Sequence, residues 1–88
     1  MCLPIMRAAH YNGSLTSTDP VQIDVSKLCL GIHIRNTGSN VLDISFDGGV
    51  NFYTIAAAAE FVEKVRFTSF WVRAPSGNTG YTAVILCG

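Results

Sequence analysis

The stretch 41–55, VLDISFDGGVNFYTI, decides the fold class of this chain. Two short runs of β-prone residues flank the insert DGGVN at 47–51. Gly48 and Gly49 can adopt positive φ without a steric penalty, and the Asp47 carboxylate can accept hydrogen bonds from the backbone amides that follow it. The stretch therefore predicts a β-hairpin within an all-β protein.

The alternation of apolar and polar residues continues on both sides of this hairpin. One predicted face of the segment 28–35 carries Leu28, Leu30, Ile32 and Ile34, and the other carries Cys29, Gly31, His33 and Arg35. Further strand-like runs occupy 21–25, 68–74 and 81–87, with turns at 36–40 and 75–80. This spacing predicts a single antiparallel β-sandwich of about seven or eight short strands, either a small jelly roll or an immunoglobulin-like fold.

The stretch AAAAEFVEKVR at 56–66 fits two structures. Four alanines and a Glu60/Lys64 pair at i,i+4 favour a helix. If the chain is extended instead, Phe61, Val65 and Phe67 share one face. Because the neighbouring segments are β and this one is short, we predict a loop at 56–59 and a strand from residue 60.

The first residues lack this alternation. Pro4, the Asn12-Gly13 pair and the run SLTSTD interrupt residues 1–19, which we predict to be an N-terminal arm with one possible strand around 6–11. Residues 20–88 are the predicted sandwich, and 88 residues leave no room for a second core. The start MCLPIMRAA has no long apolar segment, so no signal peptide is expected.

Charge is sparse and balanced. Six basic and six acidic residues make up 14% of the chain, against about 25% in a typical soluble domain. The basic residues are scattered, so neither nucleic-acid binding nor a polybasic membrane patch is expected, and no apolar run is long enough to span a membrane. Either a polar uncharged surface or burial by partner chains explains the low charge, and we favour partners.

The cysteines and histidines predict no chemistry. Cys2, Cys29 and Cys87 are odd in number and widely spaced, which predicts three reduced thiols in a chain made in a reducing cytoplasm. His33 is expected to be an exposed strand residue, and His10 has no evident partner. Because no nucleophile, acid–base pair or metal-ligand spacing is present, we predict no enzyme, no catalytic residue, no metal and no cofactor.

The hairpin loop resembles the Asp-box of sialidase-like propellers, S-x-D-x-G-x-T-W. Ser45, Asp47 and Gly49 match this pattern, whereas Asn51 and Phe52 stand where Thr and Trp are usual. In those proteins the box is a structural hairpin remote from catalysis. The resemblance implies a structural turn formed by Ser45, Asp47, Gly48, Gly49 and Phe52.

Several aromatic residues are candidates for recognition. The set that could form one aromatic platform is Phe52, Tyr53, Phe70, Trp71 and Tyr81. Trp71 opposes the face of Phe70 and Val72, so one of these two faces is not the core of the monomer. We favour a partner interface for Trp71 over a core position or a carbohydrate-binding platform, which would need an exposed Trp71 or Tyr81.

Two longer runs carry a resemblance to a known family. LGIHIRNTGSNVLDISFDGGVNFYTI at 30–55 and SFWVRAPSGNTGYTAVIL at 69–86 resemble small β-sandwich structural proteins of tailed-bacteriophage virions. The resemblance implies a capsid decoration or cement protein that binds the major capsid protein or other virion proteins as a dimer or trimer. It also implies assembly in the host cytoplasm and a location on the capsid surface.

Partner contacts are expected in the arm and on the aromatic face, at Leu3, Ile5, Arg7, Tyr11 and Trp71. One alternative is an accessory protein of the virion neck, tail or fibre base, which would be present in few copies. A second alternative is a carbohydrate-binding module.

Overall fold

The computed structural model of the protein describes residues 7–16 and 18–87, and all regular structure in these residues is β. The strands are β1 (Arg7–Leu15), β2 (Val21–Asn36), β3 (Leu42–Ser45), β4 (Tyr53–Ile55), β5 (Glu60–Glu63), β6 (Phe67–Arg73) and β7 (Thr79–Cys87). Every strand pair is antiparallel. The prediction of an all-β, antiparallel domain is therefore confirmed.

The long strand β2 joins two layers of the fold. Its residues 21–24 pair with β6, whereas its residues 29–36 pair with β7. The first layer has the strand order β1-β7-β2-β5, and the second layer has the order β2-β6-β3-β4. The two layers are thus one continuous hydrogen-bonded sheet that folds back on itself at the irregular middle of β2.

The core lies between the two layers. Its largest fully buried apolar side chains are Ile34 and Ile85 from the first layer and Leu42, Ile44, Phe70 and Val72 from the second. Tyr11 on β1 meets Phe70 on β6 edge-on, with ring centroids 6.5 Å apart, so the packing crosses from one layer to the other.

A bulge in β2 changes which of its side chains lie on the buried face and which lie on the exposed face. Cys29 pairs with Cys87 and Gly31 with Leu86, so the register skips Leu30. The extra residue shifts the alternation by one position. Cys29 is buried, whereas Leu28 is 48% exposed and Leu30 is 42% exposed. The prediction that Leu28 and Leu30 share a face with Ile32 and Ile34 is therefore wrong.

The same bulge turns Cys29 toward Cys87, and the two residues form a disulfide across β2 and β7. The prediction of reduced thiols is therefore wrong for these two cysteines, while Cys2 lies outside the described residues. The bond closes a loop with a sequence separation of 58 residues. By the loss of chain entropy in the unfolded state, such a loop contributes about 4 kcal/mol to stability.

The structure confirms the prediction for 56–66. Residues 56–59 form a turn in which the Ala59 amide donates to the Ala56 carbonyl at 3.0 Å, and β5 begins at Glu60. Phe61 packs against the rings of Phe46 and Tyr53, with centroids 6.4 and 5.1 Å away. Pairing with β2 and this aromatic contact outweigh the local helix propensity of the alanines.

Part of the predicted arm is a full strand of the sandwich. β1 pairs with β7 without a register break, from Arg7 opposite Cys87 to Leu15 opposite Thr79. The strand predicted around 6–11 is thus present and extends to residue 15. Leu3 and Ile5, where partner contacts were predicted, lie outside the described residues.

Candidate interaction sites

β1 forms one edge of the first layer. In the part of the chain that the structure describes, β1 pairs with β7 alone. Its sequence, RAAHYNGSL, is nine residues long and contains no lysine, proline or acidic residue. Soluble proteins usually protect an edge strand with charges, proline, a bulge or short length. Apart from Arg7 at its first position, β1 has none of these devices, so it presents a row of backbone groups without partners among the described residues.

β5 forms the opposite edge of the same layer and is protected. It is four residues long, it begins and ends with glutamate, and Lys64 follows it. The Glu60 carboxylate lies 3.3 Å from the His33 imidazole on β2. Short length and several charges are the features that prevent an edge from pairing with another chain.

A shallow apolar groove lies on the outer face of this layer, between the two edges. Its volume is about 300 Å³, and Gly31, Ile32, Val62, Val84 and Leu86 line it, with His33, Glu63 and Lys64 at its rim. Val62 is 68% exposed. The two histidines stand on either side of Val84 in the strand register.

The outer face of the second layer carries polar side chains that bind one another. Arg73 Nε donates to Asp43 Oδ2 at 2.9 Å, and the Thr54 hydroxyl donates to Asp43 Oδ1 at 2.8 Å. The Arg73 guanidinium also lies 3.7 Å from the centre of the Phe52 ring. Asp43 is buried beneath this arrangement, so its charge is compensated within the chain.

The structure places Tyr11 and Trp71, two of the predicted contact residues, in different surroundings. Tyr11 packs toward the core through Phe70. Trp71 is half-buried on the outer face of the second layer, between Gln22 and Ser45 in the register. The two residues therefore do not form one patch. Arg7, a third predicted contact residue, begins β1 opposite Cys87.

The five aromatic residues that were considered as one platform do not share an exposed face. Phe70 is fully buried and Tyr81 is 5% exposed, and this burial raises the pKa of Tyr81. Phe52 lies under Arg73, and Tyr53 belongs to a ring cluster with Phe46 and Phe61.

The loop between β3 and β4 is organised by Asp47. Its Oδ1 accepts hydrogen bonds from the Ser45 hydroxyl and from the amides of Val50 and Asn51, at 2.7, 3.2 and 2.9 Å. Its Oδ2 accepts one from the Asn51 side chain at 2.7 Å. The hydrogen bonds from Asn51, together with that from Ser45, hold the pKa of Asp47 well below its usual range.

Glycine conformation and aromatic packing complete this loop. Gly48 and Gly49 both have a φ of 83°, which an L side chain rarely adopts. Phe52 ends the loop beneath the Arg73 guanidinium. The residues of the predicted structural turn thus form one hydrogen-bonded loop next to β4.

Sequence reasoning missed a buried polar cluster at Asn36. Asn36 Nδ2 donates to the carbonyls of Asn40, Ile55 and Ala56 at 2.7, 3.1 and 3.2 Å. Asn36 Oδ1 accepts from the Thr79 hydroxyl at 2.6 Å. The available signal was the tripeptide Asn-Thr-Gly, which occurs at 36–38 and 78–80. The structure brings both copies together, with the Thr37 amide donating to the Gly80 carbonyl at 3.0 Å.

The described ranges contain neither a cluster of metal ligands nor a membrane-spanning helix. No group of three or more His, Cys, Asp or Glu residues comes together there in a way that could hold a metal ion. No helix within 7–16 and 18–87 is long and apolar enough to cross a membrane.

Comparison with known proteins supplies one informative similarity. No protein-family model and no curated protein matches the chain. A solved chain from the Bacillus endospore appendages, described as a novel family of disulfide-linked pili, has a similar fold with a TM-score of 0.64. The match covers 94% of this chain and 86% of the other, at 14% sequence identity. At this identity the likeness shows the fold alone.

Proposed function

We propose that this protein is a non-enzymatic structural subunit that assembles with further copies of itself by strand addition at β1. The observation that carries the proposal is the unprotected edge of β1, whose nine residues follow a regular register. A partner strand would hydrogen-bond to the outward backbone groups of β1 and extend the first layer into the next subunit.

The side chains of β1 suit such a contact. Ala8, His10 and Asn12 are exposed on the outer face, and none of them is lysine, arginine, aspartate or glutamate, so they allow a close approach. Each contact is modest by itself, but repetition along an assembly multiplies its effect. If β1 pairs with a different edge of the next copy, the result is an open fibre, whereas pairing of β1 with β1 gives a closed dimer.

The pilus subunit with a similar fold supports an appendage-like assembly and suggests a role for the remaining cysteine. Because Cys29 and Cys87 are bonded to each other, Cys2 is the cysteine of this 88-residue chain left to join two chains. With one such cysteine per chain, a disulfide can join two chains into a covalent dimer, but it cannot link three or more chains. A non-reducing gel of the assembled protein is therefore expected to show monomer and dimer bands.

Capsid decoration is the second candidate function. It is favoured by the resemblance of 30–55 and 69–86 to small virion proteins and by the low charge of the surface. In that case the β1 edge would accept a strand of the major capsid protein. Purified protein would then remain monomeric or form a closed dimer or trimer, and it would bind capsids that lack it.

Light scattering and negative-stain microscopy of the purified protein test the proposal. We expect assembly that increases with protein concentration and that the double substitution His10→Lys, Asn12→Lys abolishes, because lysines on an edge oppose strand pairing. The matched control is Val62→Lys on β5, which should leave assembly unchanged. Assembly that survives the β1 substitutions but not Val62→Lys would contradict the proposal.

A further inference from the structure

A second groove, of about 600 Å³, opens beside the loop that joins β3 and β4. The loop 46–52 and the start of β4 form one wall, and residues 65–66 form the other. The residues that line it are Phe46, Asp47, Asn51, Phe52, Tyr53, Val65 and Arg66. A concave site with aromatic walls and a few polar groups is the usual form of a small-molecule site.

The aromatic wall is exposed but fixed in place. Tyr53 is 54% exposed, and its ring centroid lies 5.1 Å from that of Phe61 and 6.4 Å from that of Phe46. The Phe46 ring in turn lies 5.4 Å from the buried ring of Phe67. A ligand that stacks on Tyr53 would therefore meet a preorganised surface, which lowers the entropic cost of binding.

The polar groups of the groove offer both acceptors and donors. Asn51 Nδ2 donates to Asp47 Oδ2 at 2.7 Å, which fixes the orientation of the Asn51 side-chain amide. The side-chain oxygen, Oδ1, therefore has lone pairs that can accept further hydrogen bonds. Among the described residues, the exposed Arg66 guanidinium makes no hydrogen bond or ion pair, so its donors are available. The site thus has one positive and one negative charge, and no net charge.

We propose that this groove binds a neutral pyranose ring of a glycan. The C–H face of the sugar would lie on the Tyr53 ring, since aromatic faces carry negative charge density. Sugar hydroxyls both donate and accept hydrogen bonds. They can therefore donate to the Asn51 side-chain oxygen and accept from the Arg66 guanidinium. An anion would meet the ionised Asp47 carboxylate, a cation would meet Arg66, and an acyl chain would leave both polar groups unpaired.

This site is independent of the proposed assembly. It lies on the loop side of β4, whereas assembly uses the β1 edge, so either inference can fail without the other. It also differs from the aromatic platform that the sequence left as an alternative, which needed an exposed Trp71 or Tyr81. Only Phe52 and Tyr53 are common to both sets of residues.

Titration of ¹⁵N-labelled protein with methyl glycosides tests the proposal. The probes are the methyl pyranosides of glucose, galactose, mannose and N-acetylglucosamine. We expect at least one to cause saturable shifts confined to 46–53 and 64–66, including the Asn51 side-chain amide, with a Kd on the order of 1 mM. Absence of saturable shifts with all four sugars would overturn the proposal, as would shifts centred on Trp71.

Substitutions in the groove sharpen this test. Tyr53→Ala should weaken binding at least about tenfold, whereas Tyr53→Phe, which keeps the ring, should bind nearly as well as the wild type. Arg66→Met removes the donors from an exposed position and should also weaken binding, even if Tyr53→Ala does not fold. Val50→Ala, in the same loop but outside the groove lining, is the matched control. Unchanged affinity in both Tyr53→Ala and Arg66→Met would contradict the site.

Discussion

The two edges of the first layer differ in every property that governs pairing between chains. β1 has nine residues, a continuous register and no lysine, proline or acidic residue. β5 has four residues, two of which are glutamates, and one of them faces His33. Both strands lie in one layer of the same small sandwich. The fold and the overall composition of the chain, which the two strands share, therefore do not explain the contrast.

This difference shows which edge of the first layer is protected against strand pairing and which is not. The charges around β5 keep other strands away, as in proteins that must stay monomeric. β1 lacks such protection although a chain of this size could carry it. A low total charge is thus distributed unevenly, and among the described residues the longest free edge carries a single charged residue, Arg7.

The largest expected effect on stability comes from removing the disulfide between Cys29 and Cys87, which lies next to the first residues of β1. Substitution of Cys29 and Cys87 by serine, or reduction, should lower the free energy of unfolding by about 4 kcal/mol. A loss of this size in a chain of 88 residues corresponds to a fall in Tm of about 15–30 °C. Calorimetry with and without reductant measures it, with Cys2→Ser as the control. A Tm unchanged by reduction would contradict the role of this bond.

The next largest effect is expected at the other end of β2 and β7, where Asn36 supports the loop that leads into β5. In Asn36→Ala, the Thr79 hydroxyl and the Ile55 and Ala56 carbonyls each lose a hydrogen bond. This loss should lower the free energy of unfolding by about 3 kcal/mol. Urea unfolding measures this cost, and the exposed Asn12→Ala on β1 is the matched control. Equal stability of the two variants would show that the Asn36 cluster contributes nothing.

A smaller effect on stability, but a clear one on assembly, is expected when β5 is made similar to β1. The triple substitution Glu60→Thr, Glu63→Thr, Lys64→Thr removes the charges at this edge and should change the free energy of unfolding by less than about 1 kcal/mol. It should increase assembly in light scattering and should restore it to the His10→Lys, Asn12→Lys protein. If assembly stays at the wild-type level, charge is not what separates the two edges.

The smallest effect is expected far from both edges, at Asp47. Because its pKa is lowered in the folded state, Asp47 contributes stability that is present above the pKa of an unfolded aspartate, about 3.9. That contribution is lost as the pH falls below this value toward the lowered folded pKa. Asp47→Asn should therefore be less stable than the wild type at pH 6, and the gap should narrow in acid without a change in assembly. A gap independent of pH between 6 and 2 would contradict this assignment.

The sequence predicted what depends on local pattern and failed where long-range register decides. The hairpin at 41–55 and the strand from Glu60 follow from alternation and turn residues, and both are present in the structure. The disulfide depends on a bulge at Leu30 that aligns Cys29 with Cys87, and no local signal marks this bulge. Asn36 was assigned to a turn from its neighbours in the sequence, and its buried cluster was missed because its partners lie up to 43 positions away.

The candidate sites show the same limit. The sequence assigned Tyr11 to the arm and Trp71 to an exposed aromatic face, and it did not indicate that Tyr11 packs toward the core against Phe70 from the other layer. Tyr53 was grouped with Trp71 although its ring neighbours, Phe46 and Phe61, come from a loop and from β5. Membership of a layer arises from strand pairing over the whole chain, which alternation within one segment does not encode.

Hydrogen exchange of the backbone amides, compared between dispersed and assembled protein, tests the central claim most directly. We predict that those amides of 8–14 that point away from β7, which are every second one along β1, become strongly protected on assembly because they gain partners from another chain. Amides of 60–63 in β5 should exchange at the same rate in both states. Assembly that protects β5, or the apolar groove at Val62 and Leu86, while leaving β1 unchanged would contradict the account.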